Sequence, residues 1–337
     1  MLVKKAELEQ TMKEVLMRYG VDAETAEACT ENLVENTLYG VASHGVNRFL
    51  RLTQMIKEGK VVPDAKPTLV FAQGAMECWD GNLGLGNLNA KHCMDRAVTL
   101  AKEYGIGCVA LRHTNHWMRG GAYGIQAAKQ GCASILWTNT MPNMPAWGAR
   151  DRRIGNNPLI MCVPYQDSFV MVDAAMAQFS YGAIEKARLN GTPLNVPGGY
   201  DEAGNLTTDA VSIEKTWRVL PIGYWKGSGF SVLMDLMGAM LSQGMSVHEI
   251  GKQGDQPTDE YNLSQIFIAF KIQDSAEADR IAEQIIGDLK KSEPASPDTA
   301  ICYPGENSQR KYHQNLDRDI EVNDTIWTQI KGLSGQN

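Results

Sequence analysis

The amino-acid sequence predicts an α/β fold in which a mixed sheet is flanked by helices and preceded by a helical N-terminal layer. Residues 1 to 66 carry apolar positions at helical spacing, and from Pro67 onward short apolar runs alternate with amphipathic ones. No G-x-G-x-x-G turn is present, which excludes a standard Rossmann unit. A length of 337 residues suffices for one large α/β unit or for two intertwined subdomains.

Three helices are predicted in the N-terminal layer. The first runs from Lys5 to Tyr19, where Gly20 ends it, and the second is capped by Asp22 and continues to Leu38. Apolar residues recur at helical spacing after Ser43, which predicts a third helix with Ser43 as its N-cap and with His44 in its first turn.

The remaining chain predicts the sheet and its covering helices. Residues 67–304 are expected to form a mixed α/β core, and residues 1–66 with 305–337 the helical layer. Strands are predicted at Thr68–Phe71, Gly107–Leu111, Ala133–Trp137, Leu159–Val163, Val170–Asp173 and Gln265–Lys271. Helices are predicted at Leu88–Glu103, Gly121–Gln130, Gly229–Gln243, Ala276–Lys290 and, within a polar C-terminal segment from Gly305, Thr325–Leu333. Loops are predicted at Asn190–Asp209, Gly251–Asn262 and Ser292–Asp298.

Composition and charge restrict the partners. Charged residues make up 21% of the chain and the formal net charge is −7, so the basic patches that hold nucleic acids or anionic membranes are not expected. An anionic substrate would have to meet local positive charge. Candidate groups for that charge are Arg48, Arg112, Arg119 and Lys226.

Cysteine usage and hydropathy predict a cytoplasmic protein. The seven cysteines are scattered, odd in number and without a C-x-x-C pair, which favours reduced thiols in a reducing compartment. The first residues lack the apolar segment of a signal peptide, and no apolar run approaches the length of a membrane span.

The segment Ser43–Arg48 combines an imidazole with a guanidinium. In a first helical turn, with Arg48 beside it, His44 should be neutral until an anion binds, and a bound carboxylate would reverse part of that bias. Such a pair suits the reduction of a keto acid. A capped surface helix with an unrelated histidine explains the segment equally well.

A second polar cluster, Arg112–Gly121, lies between a predicted strand and a predicted helix. Ligands collect where the strands of α/β sheets end, so these side chains are well placed for a binding site. His113 and His116 have a spacing found in metal sites, but no third ligand follows at a recognisable spacing, and zinc is not predicted.

Other candidates remain open on the sequence. Asp173 ends an apolar run and is either a strand-end turn residue or a carboxylate that faces the site. Trp137–Asn139 and Gly155–Pro158 could line a pocket, although turn formation alone explains them. Gly223–Gly229 opens an apolar helix and is either a phosphate site aided by Lys226 or a tight turn. Signatures of serine hydrolases and kinases are missing from the sequence.

Considered together, these motifs resemble the type-2 malate and lactate dehydrogenase family, which includes sulfolactate and ureidoglycolate dehydrogenases. Their order and spacing match over nearly the whole chain. The segments Ser43–Phe49, Asn115–Gly121, Phe179–Gly182, Gly223–Gly229 and Ser264–Ala269 are most similar to family members that reduce a keto sugar acid. The other matching segments are Trp137–Asn139, Gly155–Pro158, Val172–Asp173 and Pro304–Glu306.

The resemblance implies a non-Rossmann NAD(P) fold, a homodimer and His44 as proton donor. It assigns the substrate and the dimer contact to the helical layer and the cofactor to the core. Met161–Ser168 is one residue longer than the resemblance predicts and Ala174–Ala175 replaces a more polar pair, so the limits of the first cofactor segment stay open. The residues implied in cofactor binding are Phe169, Val170, Met171, Val172, Asp173, Ala174, Ala175, Trp225, Lys226, Gly305, Glu306 and Asn307.

The functional hypothesis is therefore an NADH-dependent reductase of a 2-keto sugar acid, with NADPH as the other possible cofactor. Arg48 would hold the substrate carboxylate, and Asn115 and His116 would be polar groups of the pocket. An extra arginine near the pocket, Arg119, favours a hydroxylated substrate. The alternatives are another 2-keto acid or a cyclic imino acid as substrate, a non-catalytic sugar-acid binding protein, and a metal-dependent aldolase or isomerase.

Overall fold

A computed structural model describes residues 1–253, 259–297 and 299–335. The middle of the predicted loop Gly251–Asn262, the last residue of the predicted loop Ser292–Asp298 and the last two residues of the predicted polar segment lie outside the described residues. The helices are α1 (Lys5–Arg18), α2 (Ala23–Leu38), α3 (Phe49–Lys57), α4 (Gly86–Tyr104), α5 (Gly121–Ala128), α6 (Tyr181–Asn190), α7 (Ala210–Thr216), α8 (Trp225–Ser242), α9 (Val247–Gln253), α10 (Ser275–Leu289), α11 (Glu306–Leu316) and α12 (Asp324–Ser334). The strands are β1 (Leu2–Val3), β2 (Thr68–Gln73), β3 (Met76–Asp80), β4 (Ile106–Asn115), β5 (Cys132–Thr138), β6 (Met144–Pro145), β7 (Arg152–Ile154), β8 (Leu159–Tyr165), β9 (Ser168–Ala174), β10 (Gly199–Tyr200), β11 (Leu206–Thr207), β12 (Tyr261–Lys271) and β13 (Ile320–Glu321).

The central sheet is mixed, as the sequence predicts. Its seven strands run in the order β2-β3-β4-β12-β5-β8-β9; β3 and β4 pair in parallel, and the other neighbours pair antiparallel. The connection between β3 and β4 is α4, which packs on the sheet. The mixed sheet flanked by helices is confirmed.

Strand β3 was missed because two of its five residues are acidic. Glu77 accepts two hydrogen bonds from Arg96, and Asp80 accepts one from Arg112. These ion pairs satisfy charges that the sequence pattern alone would place in a loop. Tertiary partners therefore overrode a weak local strand preference.

The N-terminal layer contains its own apolar core, to which the C-terminal segment contributes. Strand β1 pairs with β13, with Val3 opposite Ile320, and α12 packs on α1 and α3. Trp327 of α12 is buried in the same cluster as Leu8 and Phe49. The chain ends thus close one helical cluster; the assignment of this cluster as a separate substrate and dimer layer stays a prediction.

The third predicted helix does not begin at Ser43. Two short 3₁₀ turns, Ala42–His44 and Val46–Arg48, precede α3, and Gly45 separates them with φ −120° and ψ −128°. A Cβ on Gly45 would lie 2.2 Å from Thr37 Oγ1, and the N–H of Val46 donates to that oxygen at 3.0 Å. This close packing on α2 prevents a continuous helix, and the predictions of Ser43 as an N-cap and of His44 in a first α-helical turn were wrong.

Other differences from the prediction concern polar segments. The sequence analysis missed elements that lack a strong apolar period: helices α6, α7, α9 and α11 and the strand pairs β6–β7 and β10–β11. The loop prediction at Asn190–Asp209 was wrong where β10 and β11 form, and the loop prediction at Gly251–Asn262 was wrong where α9 ends and β12 begins. Helix α11 is fixed by contact, since its Tyr312 stacks on Tyr39 with 4.2 Å between ring centroids. Helix α8 begins at Trp225, earlier than predicted.

Within the described ranges, no single helix is long and apolar enough to cross a membrane. One bent pair, Trp225–Ser242 with Val247–Gln253 at 80°, meets the length and composition criteria together.

Candidate active site

The structure brings the two predicted imidazoles together. His44 follows α2, and His116 follows β4, the strand whose end the sequence marked as a ligand site. Their rings stack with 5.6 Å between centroids and 27° between planes. Two distant polar motifs thus meet in one partly buried cluster.

His44 is held in its neutral form. Burial, and then the positive charges of Arg48 and Arg119, lower its pKa to about 4. The sequence predicted this direction but attributed it to a helix N-terminus and Arg48; burial is the larger cause. The hydroxyl of Ser43 lies 3.0 Å from His44 Nδ1, within hydrogen-bond distance of the ring.

His116 is also neutral. Burial lowers its pKa well below the usual value, with Arg48 and His44 adding to the effect. Its Nδ1 accepts a hydrogen bond of 3.0 Å from the N–H of Met118, so its proton lies on Nε2. That Nε2 lies 3.9 Å from Glu260 Oε2.

Arg48 is paired with Glu260, a residue that the sequence analysis missed. Arg48 Nη2 donates to Glu260 Oε2 at 3.0 Å, and the Glu260 side chain is 12% exposed. Burial raises the pKa of Glu260, while Arg48 and Arg51 act in the opposite direction. No motif marked Glu260, which precedes β12 at the end of a segment predicted as a loop.

The side-chain amide of Asn115 stabilises a turn of the fold. Its Nδ2 donates to the carbonyls of Leu83 and Gly84 at 2.8 and 2.9 Å, which fixes the turn that enters α4. Its Oδ1 is buried and has no hydrogen-bond partner among the described residues. A role of Asn115 in substrate binding can therefore rest only on this acceptor.

The neighbouring predicted cluster divides between two places. His113 Nδ1 and Arg112 Nε both contact Asp80 Oδ2, at 2.8 and 3.0 Å. His113 therefore faces Asp80, whereas His116 faces Glu260. Arg112 is occupied by a carboxylate of the fold, so its positive charge is already offset at a site other than the imidazole pair.

The charge of Arg119 acts on His44, and Asp173 lies beside Arg119. The side chain of Arg119 is 4% exposed; its guanidinium lies 4.5 Å over the ring of Tyr39 and its Nε lies 3.8 Å from Asp173 Oδ2. Asp173 accepts a hydrogen bond of 2.9 Å from the N–H of Gly121, and burial raises its pKa. Asp173 is thus a carboxylate that faces Arg119, and its place in a functional site stays a prediction.

One donor in this cluster has no partner. Arg119 Nη2 donates to Ser308 Oγ at 3.3 Å, but Nη1 is buried without an acceptor in the described part of the chain. A buried guanidinium with an unused donor is costly unless a ligand supplies the acceptor. This donor is therefore available to an acceptor group of a ligand.

Two of the three implied cofactor segments adjoin each other. Strand β9 contains Phe169–Ala174, and the N–H of Met171 donates to the carbonyl of Pro304 at 3.0 Å. Gly305 has φ +92°, and a Cβ there would lie 3.3 Å from Met171 N, so glycine is required for this contact. Gly305–Asn307 therefore lie directly beside β9.

Two side chains of the cofactor segment Gly305–Asn307 already have partners. Glu306 accepts from Lys290 Nζ at 2.7 Å and from the N–H of Tyr303 at 3.1 Å. Asn307 Oδ1 accepts from Arg310 Nη2 at 2.8 Å. A cofactor would meet this segment through its backbone or by displacing these bonds.

The remaining cofactor segment, Trp225–Lys226, lies at the other end of β9. Ala175 follows β9, and the carbonyl of the next residue, Met176, accepts from the N–H of Ile222, three residues before α8. Trp225 and Lys226 form the exposed start of α8, with Lys226 Nζ 6.0 Å from the centre of the Trp225 ring. The three segments therefore follow one edge of the sheet.

The backbone N–H groups at the start of α8 already have partners. The N–H groups of Lys226, Gly227 and Ser228 donate to the carbonyls of Gly223, Ile222 and Tyr224. These bonds form the tight turn that the sequence left open as one alternative; the other alternative, a phosphate site, stays a prediction. The Lys226 ammonium remains as the positive charge of this segment.

Comparison with known proteins identifies the family of this chain. The family model described as malate/L-lactate dehydrogenase matches residues 3–331. The 2,3-diketo-L-gulonate reductase of Klebsiella pneumoniae (strain 342) is 45% identical over 331 residues, 97% of this chain and 98% of that protein. The reductase of the same name from Escherichia coli (strain K12) is 45% identical over 330 residues, with the same coverage.

Solved structures show the same fold. Sulfolactate dehydrogenase from Methanocaldococcus jannaschii superposes with a TM-score of 0.91 at 27% identity, covering 100% of this chain and 97% of that one. Malate dehydrogenase from Pyrococcus horikoshii OT3 gives a TM-score of 0.89 at 26% identity, covering 100% and 96%. The chain therefore belongs to the malate/L-lactate dehydrogenase family of oxidoreductases.

Proposed function

We propose that the protein reduces a 2-keto sugar acid with NADH, and that its substrate is 2,3-diketo-L-gulonate, reduced at C2 to 3-keto-L-gulonate. The observation that carries this proposal is the stacked pair of neutral imidazoles beside the Arg48 guanidinium. The 45% identity to reductases of that name supports the choice of substrate. Membership of a dehydrogenase family implies a nicotinamide cofactor, which would supply the hydride.

In this proposal His44 is the proton donor and Arg48 holds the substrate carboxylate. An imidazole with a pKa of about 4 is protonated in about one molecule in a thousand at pH 7, too few for efficient general acid catalysis. A carboxylate bound at Arg48 would offset one of the charges that depress this pKa. Substrate binding would thereby prepare the acid that protonates the forming alkoxide.

His116 and Asn115 would orient the substrate rather than transfer its proton. In the neutral His116 ring the Nε2–H is directed to the side of Glu260 and Arg48, where a substrate hydroxyl or carboxylate would lie. Asn115 would contribute its unpartnered Oδ1 as an acceptor for a hydroxyl group. Such contacts favour a hydroxylated acid over pyruvate-sized substrates.

The residues present fit a dinucleotide along β9. Arg119, whose charge acts on His44 and whose Nε lies 3.8 Å from Asp173 Oδ2, supplies a buried donor without a partner among the described residues. Lys226 supplies an exposed charge at the other end of the edge. Gly305–Asn307 adjoin β9 at Met171, whose N–H donates to the carbonyl of Pro304. We propose Phe169–Ala175, Trp225–Lys226 and Gly305–Asn307 as the cofactor segments, with NADH preferred and NADPH as the alternative.

We also propose that the protein is a homodimer. Phe230, Leu233, Met237 and Met240 are exposed on one face of α8, an apolar stripe that a second copy of the chain would cover. This face belongs to the core, not to the helical layer to which the sequence assigned the dimer contact. Sedimentation should show a dimer that Leu233→Glu converts to a monomer, and an intact dimer in that variant would exclude this face.

The cytoplasm is the proposed location. All seven cysteines lie in the described residues as free thiols, and five of them are buried, which is the state expected in a reducing compartment. Exporting the protein from the cell and then titrating its thiols would test this assignment, since the secreted protein should have fewer free thiols than the cytoplasmic protein.

The testing experiment is NADH oxidation across 2,3-diketo-L-gulonate, pyruvate, oxaloacetate and a cyclic imino acid, with NADPH and EDTA in parallel. Efficient turnover of the diketo sugar acid alone is the expected result. Preference for a smaller acid or an imino acid would retain the His44 chemistry and change the substrate. Binding without any oxidation would favour a non-catalytic sugar-acid binding protein, and activity lost with EDTA would favour metal-dependent chemistry.

A further inference from the structure

The contact between Arg48 and Glu260 raises a conflict within the proposed site. Glu260 Oε2 accepts from Arg48 Nη2 at 3.0 Å, so the guanidinium proposed to hold the substrate carboxylate already holds a carboxylate of the protein. The two side chains are 28% and 12% exposed, which limits screening by water. A second anion at Arg48 would lie within a few ångströms of an ionised Glu260.

Glu260 is poorly stabilised as an anion. Among the described residues it accepts a hydrogen bond from one charged donor, Arg48, whereas His116 at 3.9 Å is neutral. Burial outweighs these contacts and raises its pKa. Protonation is therefore the least costly way to admit a second carboxylate.

We propose that Glu260 is a proton-linked positioning residue: ionised, it holds the Arg48 guanidinium in the free protein, and it takes up one proton from solvent when the substrate carboxylate binds Arg48. The proton returns to solvent when the ligand leaves, so the step is balanced without any further reactant. This inference rests on the proposed function for the role of Arg48 and extends it to a residue to which that function gave no role.

Several charged and titratable groups surround Glu260 and influence its protonation. Arg48 and Arg51 are its cationic neighbours from the segment before α3 and from α3, and His116 faces it from the end of β4. Tyr181 at the start of α6 is near enough for the charge of Glu260 to raise the pKa of its hydroxyl further. The adjacent Asp259 is bound by Arg51 and Lys60 and remains paired whichever state Glu260 adopts.

The proposal has a consequence for affinity. If only the protein with neutral Glu260 binds a carboxylate tightly, the dissociation constant rises about tenfold per pH unit above the pKa of Glu260. Glutamine retains an oxygen that can accept from Arg48 but carries no charge. Glu260→Gln should therefore remove one proton from the binding equilibrium while it preserves the shape of the pocket.

The test is calorimetric binding of oxamate, a keto-acid-sized carboxylate that cannot accept a hydride, from pH 5.5 to 8 in the presence of NADH. The slope of log Kd against pH should be smaller by about one in Glu260→Gln than in the wild type. A proton taken up by His44 contributes equally to both proteins, so the difference isolates Glu260. Equal slopes would overturn the proposal.

The matched control is Glu77→Gln, which neutralises another arginine-paired glutamate at β3, outside the site. Its slope should equal that of the wild type. The wild-type protein provides a second measurement: oxamate binding in buffers of different ionisation enthalpy should reveal proton uptake, and no uptake would overturn the proposal even if Glu260→Gln fails to fold.

The outcome can be separated from that of the proposed function. If oxamate binds with the expected slope difference but no keto acid is reduced, the reductase assignment fails and the Glu260 linkage stands. If keto acids are reduced while oxamate binds neither the wild type nor Glu260→Gln, or binds Arg48→Met as well as the wild type, the linkage fails and the reductase assignment stands.

Discussion

Two arginine–glutamate pairs in this molecule have opposite electrostatics. Glu77 accepts two hydrogen bonds from Arg96 and one of 2.8 Å from Trp79 Nε1, and these contacts lower its pKa despite its burial. Glu260 accepts one from Arg48, and burial raises its pKa. A carboxylate with several donors is a fixed part of the fold, whereas one with a single donor is ready to exchange its partner or its proton.

The imidazoles beside the two pairs extend the comparison. His92 packs against Trp79 near Glu77, with 4.5 Å between ring centroids, whereas His44 stacks on His116 near Glu260. Both His92 and His44 have a pKa lowered mainly by burial. Burial of a histidine therefore does not identify a site; the site is where neutral imidazoles adjoin an arginine that a ligand can engage.

The largest expected effect separates these two histidines. His44→Ala should reduce kcat by about 10²–10⁴-fold because it removes the proposed general acid, while NADH binding measured by fluorescence is retained. His92→Ala is the matched control and should leave kcat within about twofold. Normal turnover by His44→Ala would contradict the proton-donor assignment.

The next effect separates the two arginines. Arg48→Lys should raise KM by about ten- to a hundredfold and change kcat less, because an ammonium cannot form the planar fork that grips a carboxylate. Arg96→Lys should weaken the fold without a change in KM. Steady-state kinetics on both variants, with thermal melting as the stability measure, would show whether the two pairs differ in function; equal KM changes would remove the distinction.

A substitution at Gly45 should disturb the backbone between His44 and Arg48. Gly45→Ala places a Cβ 2.7 Å from the Leu33 carbonyl as well as against Thr37, and should cost about 1–3 kcal/mol in the free energy of unfolding. Activity should fall too, since His44 and Arg48 flank this glycine. The control is Gly287→Ala in α10, where a Cβ meets nothing within 4 Å. This substitution should raise the free energy of unfolding by about 0.5–1 kcal/mol.

The smallest expected effect is the pH dependence of stability. The lowered pKa of Glu77 contributes stability above its unfolded pKa, and that contribution is lost as pH falls through the folded pKa. The raised pKa of Glu260 has the opposite sign, because stability falls as pH rises from the unfolded to the folded pKa.

Melting temperatures at pH 3, pH 5 and pH 8 would measure this difference, because the Glu77 contribution is lost below its unfolded pKa and the Glu260 contribution above its own. Glu77→Gln should lower the melting temperature at pH 8 more than at pH 3, with a cost of about 1–3 kcal/mol at the higher pH. Glu260→Gln should become more favourable relative to the wild type as pH rises. The same trend in both variants would show that the two pairs are electrostatically alike.

The sequence anticipated the parts of this protein that repeat with a local period. The strands β4, β5, β8, β9 and β12 and the helices α1, α2, α4 and α10 follow from apolar residues at spacings of two or of three to four, because each must bury one face. The chemistry-bearing motifs at Ser43–Arg48 and after β4 were also visible, since their residue types are informative without coordinates. Their catalytic and binding roles remain predictions.

The tertiary structure decided what depends on residues far apart in the chain. The predicted helix is interrupted at Gly45, where the chain packs so closely on α2 that only glycine fits, and strand β3 accepts Glu77 because Arg96 reaches it from α4. Glu260 meets Arg48 across 212 positions of sequence. Local period specifies which face of an element is buried, whereas the partner of a buried charge depends on packing between elements, and that partner determines whether the charge belongs to the fold or to the site.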